Sequence, residues 1–247
     1  MFNLFKKRPE LNEADEFFFR FPQRLRIQFQ PADVFLTSFP RSGNTWMRHL
    51  IAGCLRKPVE HVIPDLHHPG LNSVPRHSLG RDVFLFKSHT ICDLDEFRKV
   101  YIFRNPADSL VSYAHFAGRS EGGCDNFVCR SLKTWVYQNS AVHMAFTENP
   151  SRWHLVSYEK LLRETESTLF STFQFLGIDC SGLAMEEAIR DSEKVPRLNK
   201  GVGNYVSASS GKGKTLLSKS TLQQIEEFAL PTYSRLREAE DEQNLKK

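Results

Sequence analysis

The chain has 247 residues, 40% of them hydrophobic and 25% charged, with a formal net charge of +4. That length supports one large core, and that composition excludes a disordered or fibrous chain. The small positive excess favours anionic partners without implying nucleic acid, and an odd, scattered set of five cysteines excludes a disulfide scaffold and fits a reducing compartment.

Residues 1–30 mix charge with Phe17, Phe18 and Phe19 and read as an N-terminal arm. They hold no apolar stretch of signal-peptide kind, and no window approaches a transmembrane span. A cytoplasmic chain with no membrane partner is therefore expected. The core is expected over 31–238 as a single domain, with a charged tail, 239–247, that frays.

Residues 33–38 read as a buried strand and 45–56 as a helix. Between them stands Phe39-Pro40-Arg41-Ser42-Gly43-Asn44-Thr45-Trp46. A buried strand, a glycine-containing turn and a helix start can point backbone N–H groups at an anion. The helix dipole adds partial positive charge, and Arg41 adds a full one. The stretch 58–75 is rich in Pro, His and Gly and reads as an irregular loop. Its His67-His68 pair lacks a third ligand at useful spacing, so no metal is expected.

Residues 82–87 read as a second strand, ending at Ser88-His89, and 98–104 as a third. Asn105 is a candidate cap and Pro106 a first-turn residue for a helix over 107–116. A helix over 126–146, a strand over 153–158 and a helix over 159–176 stopped by Gly177 follow. A short helix over 181–190, a Gly-, Ser- and Lys-rich loop over 196–214, and a last helix from Ser218 or Ser220 to Phe228 complete the pattern. Short apolar strands alternating with longer helices predict an α/β fold with a mostly parallel sheet. In such sheets chemistry sits beyond the carboxyl ends of the strands. Arg41–Trp46, His89 and Arg104 all fall there.

The first loop does not have the spacing of an ATP/GTP phosphate loop. It resembles the 5′-phosphosulfate loop of sulfotransferases that use 3′-phosphoadenosine-5′-phosphosulfate (PAPS), with Arg41 where cytosolic members usually carry Lys. The run Arg104-Asn105-Pro106-Ala107-Asp108-Ser109-Leu110-Val111-Ser112-Tyr113-Ala114-His115-Phe116 resembles the 3′-phosphate motif of the same family. Phe86-Lys87-Ser88-His89-Thr90 is similar to its Lys-Thr-His segment, whose histidine is the catalytic base.

The resemblance implies a P-loop-like three-layer fold with helices on both faces of the sheet. It also implies sulfonyl transfer from PAPS to a hydroxyl, or a nitrogen, of a small polar metabolite, with release of adenosine 3′,5′-bisphosphate (PAP). By resemblance His89, Arg41 and Lys87 are catalytic. Arg41, Ser42, Gly43, Asn44, Thr45 and Trp46 meet the 5′ end of the cofactor and the adenine, and Arg104 and Ser112 hold the 3′-phosphate. Asp108 reads as a residue that orients donors or caps the helix start.

Tyr158 resembles the family tyrosine near adenine, and Lys212-Gly213-Lys214 resembles a C-terminal element that closes on the 3′-phosphate. Trp46 and Tyr158 equally suit core packing, and Arg197, Lys200, Lys212 and Lys214 compete for the closing role. His67, His115, Phe116 and Asp125 are candidate walls of the acceptor pocket. The compact form is similar to bacterial members acting on natural products, a saxitoxin-like guanidinium alkaloid being one candidate acceptor. A homo-oligomer that closes the pocket stays open. So do two rival readings, a P-loop-type small-molecule kinase and a non-catalytic PAP- or nucleotide-binding module.

Overall fold

A computed structural model describes residues 29–66, 85–89, 96–119, 123–192, 211 and 213–245. The arm before residue 29, His67, His68, Thr90, Arg197, Lys200 and Lys212 lie outside the described residues.

Four strands, β1 (Val34–Ser38), β2 (Leu85–Ser88), β3 (Arg98–Phe103) and β4 (Trp153–Ser157), form one sheet in the order β2-β1-β3-β4. Every pairing is parallel, with Val34 opposite Leu85 and Arg98, and Lys99 opposite Trp153. The strands are buried along nearly their whole length because both faces are covered.

On one face Val34, Leu36, Val100, Ile102 and Val156 pack against three helices. These are α1 (Asn44–Cys54), α6 (Thr165–Leu176) and α7 (Gly182–Ser192). On the other face Tyr101, Phe103, Trp153 and Leu155 meet α4 (Cys124–Glu148) and α10 (Leu230–Leu245). A further cluster joins Phe39 to α3 (Pro106–Phe116), α4 and α9 (Lys219–Phe228). The remaining helices are short: α2 (Val59–Val62), α5 (Tyr158–Arg163) and α8 (Gly213–Leu216).

β1 has β2 on one side and β3 on the other. The chain leaves β1 through α1, which packs on one face of the sheet, and leaves β3 through α3 and α4, with α4 on the opposite face. The crevice beyond the carboxyl ends of β1 and β3 is thus the point where the winding reverses, the general ligand position of open α/β sheets.

Two expectations need correction. The single helix expected over 159–176 is two helices, broken at Glu164 (φ −131°, ψ 50°). There the Thr165 hydroxyl donates to the Leu161 carbonyl at 2.8 Å, taking the acceptor that a continuing helix would give to the Thr165 amide. The tail expected to fray from 239 is helical to Leu245. It covers the open edge of β4. Gln243 Oε1 accepts from the Leu155 amide at 3.0 Å, and Glu240 Oε1 accepts from the Ser157 amide at 2.8 Å. Side chains of α10 thereby satisfy strand groups that a fifth strand would otherwise pair. The opposite edge is closed by Pro64–Leu66, whose backbone exchanges two 3.0 Å hydrogen bonds with Lys87.

Glu240 is only 1% exposed. Burial pushes its carboxyl above the ordinary value of 4.5, against the opposing pull of the Ser157 hydrogen bonds and Arg237. A carboxyl raised in the fold holds its proton more tightly than the unfolded chain does. The stability it contributes is full below 4.5 and is lost as pH rises through the folded value. Glu240→Gln, neutral throughout, is expected to remove that decline. In urea unfolding, the variant should gain on the parent progressively as pH rises from 4.5; a constant difference would refute the assignment.

Candidate active site

The loop after β1 departs from ordinary backbone at two places. Arg41 has φ 66° and Gly43 has φ 104°. The second is obligatory for another reason too: a Cβ at Gly43 would lie 2.5 Å from Tyr158 Cδ2. The turn delivers the chain into α1 with no side chain capping its first amides and no acidic residue in its first turn. Those N–H groups and the dipole behind them are suited to an anion. Ser42 lies in the same turn, 0% exposed, and its hydroxyl has no hydrogen-bond partner within the described residues. A buried polar atom of this kind costs free energy unless a ligand or water completes it.

The start of α3 is different. Asn105 Oδ1 accepts from the amides of Ala107 at 3.0 Å and Asp108 at 3.4 Å, and Pro106 has no amide to offer. The sequence-level cap is present, and it fills the helix N-terminus from within. An anion beside α3 must therefore be met by side chains, and two are in place. Arg104 Nη1 donates to the Arg41 carbonyl at 3.2 Å, with its guanidinium over the Tyr158 ring at 4.3 Å. Arg41 Nε donates to Ser112 Oγ at 3.3 Å, with its guanidinium 5.3 Å from the Phe116 ring centre. The left-handed turn at Arg41 thus sends its carbonyl to Arg104 and its side chain to Ser112. The two basic motifs, expected to serve opposite ends of one ligand, meet at a single crevice.

His89, 5% exposed, stands just past β2. Its Nδ1 lies 2.9 Å from the Ser38 carbonyl, the last residue of β1. A carbonyl only accepts, so Nδ1 carries the proton and neutral His89 presents an unprotonated Nε2. Gln138 on α4 donates to the His89 carbonyl at 3.1 Å.

Lys87 is buried and its ammonium meets Asp65 Oδ2 at 2.9 Å. Burial lowers the Lys87 pKa while Asp65 opposes that shift. The sequence reading set this charge facing a transferring group; in the structure one of its partners is the Asp65 carboxylate.

Trp46 donates from Nε1 to Ser192 Oγ at 3.1 Å and lies edge-on to Tyr158, with ring centres 6.0 Å apart. Burial raises the Tyr158 pKa, with Arg104 opposing it. Trp46 is partly buried against the cluster that includes the α1 core. The Asn44 side chain turns inward, donating to the Leu36 carbonyl at 3.3 Å and Ser38 Oγ at 3.2 Å, so only its backbone can serve an anion. Thr45 is exposed at the helix start.

Of the expected acceptor walls, Phe116 (42% exposed) sits by Arg41, and His115 is exposed beside it. Asp125 is used otherwise. Its Oδ1 accepts from the Ser218 amide at 3.1 Å and hydroxyl at 3.0 Å, tying α4 to the start of α9. Hydrogen bonds, the largest from Thr221, hold its carboxyl below the usual range. Gly213 is buried and Lys214 exposed at the start of α8.

Three residues had no signal in the sequence motifs. Gln138 is mid-helix. Ser192 ends α7. Glu159 accepts from the Asn105 amide at 2.9 Å and from the Tyr233 hydroxyl at 3.0 Å, bracing the Arg104 corner from α10. Only Glu159, adjacent to Tyr158 at a strand end, could have been suspected. Among the described residues no group of three or more His, Cys, Asp or Glu side chains is arranged to hold a metal ion. No helix among them is long and apolar enough to cross a membrane. Cys54, Cys124, Cys129 and Cys180 are free thiols.

Comparison with known proteins fits this geometry. The chain is 25% identical over 195 residues to cytosolic sulfotransferase 13 of Arabidopsis thaliana, covering 66% of this chain and 59% of that protein. It is 22% identical over 168 residues to the 3-alpha-hydroxysteroid sulfotransferase of Cavia porcellus, covering 59% of this chain and 58% of that one. The alignments therefore span somewhat under two thirds of these relatives. The fold is shared with mouse sulfotransferase SULT7A1 solved with PAP, at a TM-score of 0.65 and 16% identity over 83% of this chain and 85% of that one. It is shared also with retinol dehydratase solved with androsterone and PAP, at 0.61 and 16% over 89% and 83%. A model of the sulfotransferase domain matches residues 31–224, from the residues leading into β1 to the middle of α9. The strand-end loops that converge here lie inside that span, and the chain belongs to the sulfotransferase domain family.

Proposed function

We propose that the chain transfers a sulfonyl group from PAPS to a hydroxyl of a small polar metabolite and releases PAP. The observation that carries this reading is the junction of Arg104 with the Arg41 carbonyl and of Arg41 with Ser112. It brings a helix start with uncapped amides and a pair of side-chain anion ligands to one crevice. The orphaned Ser42 hydroxyl fits a bound oxyanion at the first of these.

Bound PAPS supplies the activated sulfonyl group. Ser42, the backbone of residues 43–45 and the α1 dipole hold its 5′ end, Arg104 and Ser112 hold the 3′-phosphate, and Trp46 and Tyr158 flank the adenine. His89 Nε2 accepts the proton of the acceptor hydroxyl, its tautomer fixed by Ser38. Arg41 cannot give up its proton at any working pH, so it contributes only charge, as do the α1 amides, at the side where negative charge collects. These dipoles are set before the reaction and need no reorganisation. Lys87, paired with Asp65, is assigned to fixing the strand end under His89 rather than to the sulfonate. Phe116 and His115 line the acceptor side. A natural-product hydroxyl in a polar molecule suits that mixed wall.

The test is PAP release from PAPS, without added metal, across a panel of hydroxylated metabolites that includes guanidinium alcohols, with ATP and Mg²⁺ in a parallel arm. Acceptor-dependent PAP release is expected. Phosphoryl transfer from ATP with none from PAPS would favour the kinase reading and end this one.

A further inference from the structure

Phe103 stands opposite Ser157 in the sheet, and there the β3–β4 ladder ends, because the chain enters α5 at Tyr158. The Asn105 amide lies beyond that last pair. It donates to Glu159 Oε1 at 2.9 Å, so a side chain fills the acceptor position that a longer β4 would have supplied. The other oxygen, Glu159 Oε2, accepts from the Tyr233 hydroxyl of α10 at 3.0 Å. Burial raises the Tyr233 pKa and Glu159 raises it further, with Arg237 opposing, so the hydroxyl stays a donor at working pH. The Tyr233 ring also packs edge-on against Phe103, the residue just before Arg104, with ring centres 5.9 Å apart.

Consecutive residues thereby hold both ends of Arg104. Its guanidinium lies over the Tyr158 ring at 4.3 Å, and the peptide that follows it is tied through its N–H to Glu159. A long side chain reaches a fixed point only if the backbone it leaves from is fixed too. The Asn105 side chain turns the other way, to the Ala107 and Asp108 amides of α3, and Glu159 ties the Arg104–Asn105 peptide to the β4 side of the corner.

We propose that Glu159 is a positioning residue for the 3′-phosphate site: it sets the backbone from which Arg104 reaches the anion, and Tyr233 on α10 holds it in place to do so. The inference rests on the PAPS reading above and deepens it. With both carboxylate oxygens committed to the protein, Glu159 acts through Arg104 and meets no part of the nucleotide. Discrimination for a 3′-phosphate therefore depends on α10, a helix outside both anion motifs.

The experiment is calorimetric titration of the full chain with PAP and, separately, with adenosine 5′-phosphate, which lacks the 3′-phosphate. The parent protein is expected to prefer PAP. Glu159→Ala should lose about 10-fold in PAP affinity, the scale of one hydrogen bond to a charged group, and keep its affinity for adenosine 5′-phosphate. Glu159→Gln keeps an acceptor for the Asn105 amide and should recover most of that loss. Placed on Arg104→Ala, Glu159→Ala should weaken PAP no further, since the residue acts only through that arginine. If Glu159→Ala does not fold, Tyr233→Phe, which removes one hydroxyl, decides the matter with a selective loss of about 3-fold. Equal losses for both nucleotides, or a full further loss in the Arg104→Ala background, would reduce Glu159 to a general brace and overturn the proposal. A parent that prefers PAP while Glu159→Ala and Tyr233→Phe both match it would sink the positioning role alone. A parent indifferent to the 3′-phosphate would sink the PAPS reading and this role with it.

Discussion

His89→Ala is expected to lower turnover by roughly 10²- to 10⁴-fold, the range for removal of a positioned general base, while leaving PAP affinity unchanged. The split follows from where the ring is tied. His89 binds the protein through Nδ1 to Ser38 and through its own carbonyl to Gln138. The carbonyl contact survives truncation of the side chain, so the strand end stays in place. The contacts of Arg41 with Ser112 and of Arg104 with the Arg41 carbonyl are made without the imidazole. His89→Asn is a useful companion, since its amide nitrogen can still donate toward Ser38 while offering no imidazole base. Steady-state turnover with PAP affinity measured in parallel checks both. Unaltered turnover in His89→Ala would remove the base assignment, and a parallel loss of PAP binding would make His89 a cofactor ligand.

The second large effect is expected at Arg104. Arg104→Ala should weaken PAP by roughly 100-fold, about 3 kcal/mol, the upper range for hydrogen bonds to a charged group. Three contributions are lost together: the charge, the bond to the Arg41 carbonyl and the stacking on Tyr158. Arg104→Lys keeps the charge but not the planar fork that spans the carbonyl and the ring. It is expected to recover only part of the affinity. Affinity for adenosine 5′-phosphate should fall far less in both variants. Titration that finds PAP bound equally by the parent and Arg104→Ala would contradict the assignment of Arg104 to the 3′-phosphate.

What could be read in advance follows from what each element is made of. β1, β3 and β4 each hold consecutive apolar residues and are buried on both faces, and the candidate residues after β1 and β3 stand together in sequence. Local sequence therefore pointed to Arg41 and Arg104, to His89 after β2, to the cap at Asn105 and, as one of two alternatives with Ser220, to the cap at Ser218. The missed features are long-range. Residues Leu236, Ala239, Glu240 and Gln243 form one helical stripe, yet two of the four are polar because they serve the backbone edge of β4. Hydropathy reads such a stripe as a solvated tail. Asp65 on Lys87, Asp125 on Ser218 and Glu159 on Asn105 are likewise acids consumed by partners far away in sequence. A carboxylate in a loop looks the same in sequence whether it faces an acceptor or a distant amide.

The Arg41 contact with Ser112 adds one point that no motif carries. The family position usually filled by lysine here holds a side chain that donates from Nε to the second motif. One of its five N–H groups is committed there, so the charge is held where the β1 turn meets α3.

The central claim is that the β1 turn and the β3–α3 corner grip the two phosphate ends of a single nucleotide. A crystal structure of the full chain with PAP tests it most directly. The account predicts the 5′-phosphate on the backbone amides of residues 43–45 and Ser42, and the 3′-phosphate within hydrogen-bond reach of Arg104 and Ser112. Adenosine bisphosphate bound with either phosphate away from its assigned motif would contradict it.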